Sequence, residues 1–109
     1  MFLRECQSKS TFFLLVLTLG LVVVFAACGG NIKTHLTRGE ELLKQRKFQE
    51  AAMEFRSAAD IDKNSPEAHW GLARVREGQG DIYETINELR QVISLKSDHL
   101  EAKSKLGNY

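Results

Sequence analysis

Residues 32–65, "IKTHLTRGEELLKQRKFQEAAMEFRSAADIDKNS", lie without a gap over residues 66–99, "PEAHWGLARVREGQGDIYETINELRQVISLKSDH", at a shift of 34 positions. Identities are few: His35 over His69, Gln45 over Gln79, Glu50 over Glu84, Glu54 over Glu88 and Arg56 over Arg90. The apolar positions agree more broadly, with Leu36 over Trp70, Phe48 over Ile82, Ala52 over Ile86, Phe55 over Leu89, Ala58 over Val92 and Ile61 over Leu95. A shared burial pattern at a fixed period marks a repeat architecture in which each unit is one supersecondary element.

Each unit reads as two helices. In the second, Ser65 and Pro66 predict an N-cap followed by proline at the first helical position, and the apolar pattern runs through Leu72 and Val75 to the glycines of "EGQGD", where the helix should stop. Asp81 then stands three residues before Glu84, the spacing of a reciprocal capping box, and Ile82, Ile86, Leu89, Val92 and Ile93 line one helical face. The first unit repeats this with Leu36, Gly39, Leu42 and Leu43, then Phe48, Ala51, Ala52, Phe55, Ala58 and Ala59.

On these residues the chain resembles the tetratricopeptide repeat family, whose unit is an antiparallel helix pair. The likeness is carried by Gly39, Phe48, Ala51, Phe55 and Ala58, by Leu72, Ala73, Gly80 and Leu89, and by Leu106 and Gly107 in a third unit beginning at Leu100. The implied fold is an all-α helix-turn-helix solenoid: repeat 1 over residues 32–65, repeat 2 over 66–99, and the first helix of a third over 100–109. Gly39, Ala73 and Gly107 are expected where helices of neighbouring units pass closest. Thr85 and Val92 stand where the family prefers alanine, and Lys63 and Ser97 replace its inter-unit proline, which predicts looser packing and frayed ends in the second unit. The closing stretch "LEAKSKLGNY" has no second helix behind it, so the chain reads as a piece of a longer array, with a capping helix as the alternative.

The resemblance implies a protein or peptide partner in a concave groove lined by the first helices. The positions that would face it are Lys33, Leu36, Thr37, Glu40 and Leu43, then Trp70, Gly71, Arg74 and Glu77, then Glu101, Ser104 and Lys105. Among these Leu36, Glu40, Leu43, Trp70, Arg74 and Glu77 form the candidate binding set. Trp70 lies four residues before Arg74, a spacing that allows a cation to stack on the ring, with packing of Trp70 over the joint between units as the alternative. Some family members clamp a partner's C-terminal carboxylate with Lys and Asn on this face; Leu36, Glu40 and Gly71 occupy those places, so that specificity is not carried over.

Chemistry finds no foothold in the sequence. His35 and His69 stand one repeat apart, roughly 10 Å by helix packing distances, which is too far to share a metal. His99 falls in the linker before the third unit, and Glu40, Glu41, Glu50, Glu54, Glu84 and Glu88 read as solvated faces or i,i+4 pairs. No nucleophile–base set, phosphate loop or ligand cluster is present, so neither catalysis, a cofactor nor a metal is expected. Of the 15 basic and 14 acidic residues, Arg4, Lys9 and Glu5 lie in the head, leaving thirteen of each sign interleaved after it. Nucleic acid, which selects clustered cations, is therefore not expected as a partner.

The head has a different composition. "TFFLLVLTLGLVVVFAA", Thr11 to Ala27, is seventeen uncharged residues behind a basic start, the pattern of a signal peptide over residues 1–27. Phe25-Ala26-Ala27-Cys28 resembles the lipobox of bacterial lipoproteins, in which the cysteine is acylated and becomes the N-terminus; residues 28–31 would then be the lipidated Cys28 and a short glycine linker. An uncleaved anchor is the alternative, since seventeen residues sit at the lower edge of what spans a core of about 30 Å. The resemblance extends to envelope lipoproteins that assist pilus assembly or accompany exopolysaccharide and PEP-CTERM sorting systems. It implies a membrane-anchored scaffold at the bacterial cell envelope, placed at the outer membrane in a Gram-negative host because Gly29 stands where an aspartate would retain it. Two other roles remain open at this point: the N-terminal part of a longer envelope enzyme or secretion component, and self-association through Leu106 and Tyr109 of the last helix.

Overall fold

A computed structural model describes residues 30–109, so the signal peptide, Cys28 and Gly29 lie outside the described residues. From Asn31 to Tyr109 the chain is one compact unit of five helices, α1 (Ile32–Lys44), α2 (Phe48–Ile61), α3 (Pro66–Gln79), α4 (Ile82–Leu95) and α5 (Leu100–Gly107). No helix among the described residues is long and apolar enough to cross a membrane.

Every helix except α2 starts at a side chain that accepts an otherwise unpaired N–H group of the first turn. Asn31 Oδ1 accepts from Lys33 N–H at 3.1 Å and opens α1. Ser65 Oγ accepts from Ala68 N–H at 3.2 Å, with Pro66 at the first helical position of α3. Asp81 Oδ1 accepts from Glu84 N–H at 3.2 Å to open α4. The capping box expected there is only half made, because the Asp81 N–H is already committed to the Arg76 carbonyl at 3.0 Å.

Helix ends show the repeat again. α3 runs through Gly78 and stops at Gln79, with Gly80 left-handed at φ 77°, so only the second glycine of "EGQGD" is a terminator. One repeat earlier Arg46 takes the same left-handed conformation at φ 59°, and the Lys47 N–H reaches back to the Leu42 carbonyl at 2.9 Å just as Asp81 does to Arg76. The turns after α2 and α4 are likewise equivalent. Each closes on a backbone bond, Ser65 N–H to Asp62 at 3.2 Å and His99 N–H to Lys96 at 3.1 Å, without the family's proline.

Short connections fold each helix back on its predecessor, and two cores result. The first holds Ala51, Ala52, Phe55, Leu72 and Val75, with Leu36, Leu42, Leu43 and Phe48 packed against it. The second holds Ala73, Leu89, Val92 and Ala102, with Trp70, Ile93 and Leu106 around it. The fold is an all-α helix-turn-helix solenoid of the tetratricopeptide-repeat type.

Burial corrects several sequence expectations. Ile82 is 48% exposed, whereas Thr85, four residues before Leu89, is buried with its hydroxyl donated to the Asp81 carbonyl at 2.7 Å. Thr85 and Val92 thus fit the core where alanine was the family preference, because one is satisfied by its own helix and the other joins the apolar cluster. Gly39 is closely packed and Gly107 is not: a Cβ on Gly39 would meet, at 2.8 Å, the ring of Phe55 on the second helix of its own repeat rather than a neighbouring unit, while one on Gly107 would meet nothing within 4 Å. Gly71, expected in the groove, is buried, and a Cβ on it would overlap the Phe55 ring as well.

Candidate functional site

The glycines decide how the inner face is built. Because neither Gly39 of α1 nor Gly71 of α3 carries a side chain, the Phe55 ring of α2 passes between the two first helices and reaches the face they share. It forms part of a cavity of about 260 Å³ whose other walls are Leu36, Thr37 and Glu40 from α1 and Glu67 and Trp70 from α3. Three of the six candidate binding residues, Leu36, Glu40 and Trp70, therefore come together in one place. Leu43 packs half-buried against the first core and does not line this cavity.

Arg74 and Glu77 meet other partners. Arg74 Nη1 donates to both oxygens of Glu40, at 2.7 and 2.9 Å, across one full repeat. Glu77 receives Lys105 Nζ at 2.6 and 2.7 Å and the Tyr109 hydroxyl at 3.1 Å. The expected stacking of Arg74 on Trp70 is not made, because the Glu40 carboxylate offers the guanidinium a charge-assisted contact that a ring face does not match. Trp70 instead packs in a tilted contact against His99, with ring centroids 4.8 Å apart and planes at 46°. It both lines the cavity and covers the joint between the second unit and α5. These ion pairs are about one-third exposed on each side, so they orient neighbouring first helices more than they stabilise them.

His99 is more than a linker residue: its Nδ1 accepts from Ala102 N–H at 3.2 Å and caps α5. Two carboxylates assigned to solvated faces also have fixed partners. His35 Nδ1 lies 2.7 Å from Glu54, and His69 Nδ1 lies 2.8 Å from Glu88, the same offset of 19 residues in each unit. The signal was present in the sequence, since both members of this pair are among the few identities of the alignment. These contacts tie the first helix of each unit to the second, and they explain the two histidines by repeat geometry. His69 and Glu88 also border a hollow of about 670 Å³ with Lys63, Asn87, Arg90 and Gln91, lined by α2, the turn after it, the start of α3 and α4.

The Tyr109 phenol is raised above its ordinary value by burial, by its hydrogen bond to Glu77 and by the charge of that carboxylate, while Lys105 opposes the shift.

No family model matches the chain. Among curated proteins it is similar to DnaJ homolog subfamily C member 3 of Mus musculus, 33% identical over 98 residues that make up 88% of this chain and 19% of that protein. The proteins of the same name from Homo sapiens and Bos taurus match with the same identity and coverage. The chain thus spans about one-fifth of the length of these relatives.

Proposed function

We propose that this chain is a protein-interaction module that holds a segment of a partner protein along the face of α1, α3 and α5, without chemistry of its own, and that an acylated Cys28 tethers it to the membrane of a bacterial cell envelope as a scaffold. The observation that carries the binding role is the cavity between two first helices, where the half-buried Leu36 and Trp70 leave apolar surface open above the fully buried Phe55 ring. Folded chains cover such surfaces unless something else does, and aromatic anchors set in pockets dominate protein recognition. The repeat fold supports the reading, since stacked helix pairs present a continuous surface to a partner.

The anchor rests on the sequence of the head: an uncharged core, small residues, then Cys28. Two acyl chains hold a protein stably where one does not, so the tether would keep the module at the membrane. Both halves can be tested in cells. A palmitate analogue fed to cells is expected to label the protein and to be lost with Cys28→Ala; labelling that survives the substitution refutes the tether. A photo-crosslinking residue in place of Leu36 is expected to capture a defined partner that the same residue in place of Tyr83, exposed on α4, does not. Equal capture at both positions refutes the groove.

A further inference from the structure

The cavity has a size, a floor and a charge, and together they specify an occupant. Its roughly 260 Å³ falls below the 300–1,000 Å³ typical of pockets for drug-sized ligands, so it fits one side chain of a longer segment. The floor is Leu36, Phe55 and Trp70, which favours a large apolar side chain.

The charge is less obvious, because two carboxylates stand in the wall. Glu40 is matched by Arg74, whose Nη1 contacts both its oxygens. Glu67 has no basic partner within ion-pair distance among the described residues, and its one side-chain contact is the Ser65 hydroxyl donating at 3.3 Å. Thr37 already donates its hydroxyl proton to the Lys33 carbonyl at 2.8 Å, so its oxygen remains as an acceptor. The cavity therefore has an apolar floor and, at its edge, a carboxylate without a basic side-chain partner.

We infer that the segment held here carries a large apolar residue next to a lysine or arginine, the apolar side chain entering the cavity and the cation pairing with Glu67. This rests on the groove reading above and names the partner chemistry of that site. An acidic neighbour would face Glu67 with like charge, and rejection of the wrong sign is what a charged rim contributes to recognition. A first-turn acid also stabilises the N-terminus of α3, a structural role that far-UV circular dichroism separates from recognition.

Trp70 is the only tryptophan in the chain and lines the cavity, so its emission reports occupancy directly. The full chain in phospholipid nanodiscs would be titrated with three short peptides, acetylated and amidated to remove terminal charge, containing Phe-Lys, Phe-Glu or Ala-Lys between Gly and Ser residues. Phe-Lys is expected to bind tighter than Phe-Glu by about three- to fivefold, the scale of an exposed charge pair, and Ala-Lys to leave the emission unchanged. Glu67→Gln should abolish the Lys-over-Glu preference while far-UV circular dichroism stays the same. If Phe-Lys and Phe-Glu bind equally, or if Glu67→Gln keeps the preference, the charge inference is overturned while the groove stands. If no peptide alters Trp70 emission, the inference is overturned as well, and capture at position 36 then decides whether the groove reading survives.

Discussion

The two complete repeats share a period and differ in how they fill the joint with the next unit. In the first, Phe55 is the wedge, and Gly39 and Gly71 leave the room that its ring requires. In the second, Leu89 is the residue 34 positions on, and the positions equivalent to the two glycines are Ala73 and Lys105. A larger wedge goes with smaller neighbours, and a smaller wedge goes with larger ones. Trading Phe55 and Gly39 for Leu89 and Ala73 keeps the volume at that pair of positions roughly constant, as expected where an interior packs at crystal-like density, whereas Lys105 carries its amine out to Glu77. The first arrangement places an aromatic ring at the floor of a cavity, whereas the second pairs Leu89 with Val92, Ala73 and Ala102 in a closed core.

Removing the wedges gives the largest expected effects. Phe55→Ala should lower unfolding stability by about 3–5 kcal/mol and Leu89→Ala by about 2–5 kcal/mol in urea titrations followed by circular dichroism. Equal losses from Gly39→Leu in the presence of Phe55 and in its absence would break the comparison, because they would show that the glycine does not serve the ring. A sharper form of the same test is Gly71→Ala, which should cost about 1–3 kcal/mol by overpacking and be substantially restored in the double variant with Phe55→Leu. Additive losses there would show that the two positions do not trade volume.

The histidine pairs come next. His35→Ala and His69→Ala should each cost about 1–2 kcal/mol, because each leaves a partly buried carboxylate without its donor. The loss at His69 should be the larger, since its Nε2 also lies 3.3 Å from the Lys63 carbonyl. Arg46 provides a prediction of opposite sign. It adopts the left-handed turn that glycine holds at position 80, so Arg46→Gly should raise stability by about 1 kcal/mol, whereas Gly80→Arg should lower it.

The smallest effect belongs to Tyr109. In a Tyr83→Phe background, spectrophotometric titration should show the phenol ionising above the ordinary value of about 10, and Glu77→Gln should bring it back down. Because the folded value is raised, the contribution of this contact is fully present below the unfolded phenol value and is lost as pH rises through the folded one. A phenol that ionises at its ordinary value would show that the Tyr109–Glu77 bond does not persist in solution.

Much of the fold was legible in the sequence, because the elements that set it are local or periodic. The Ser65-Pro66 start and the Gly80 stop act within a few residues, and the register of 34 repeats along the chain. The site was legible only in part. The resemblance to the repeat family implied one face for Leu36, Glu40 and Trp70, and these three do join at a cavity. What each charge would touch was not readable, since Arg74 finds Glu40 and Glu77 finds Lys105 only after the first helices are set side by side. Gly71 was misread for the same reason: its role depends on a ring from another helix. The His–Glu pairs were the readable exception, as two identities repeating together at one offset imply a contact that repeats with them.

The ion pairs on the inner face have a direction. At both joints the acid belongs to the earlier helix and the base to the later one: Glu40 of α1 to Arg74 of α3, then Glu77 of α3 to Lys105 of α5. The middle helix therefore carries a cation on its upstream flank and an anion on its downstream flank, like a keyed connector with unlike ends. Units joined in this order match at every step, while a unit docked in the reverse sense would set acid against acid or base against base. The order of assembly along the array is written into the chain as an electrostatic arrow, separate from the apolar packing that supplies the adhesion.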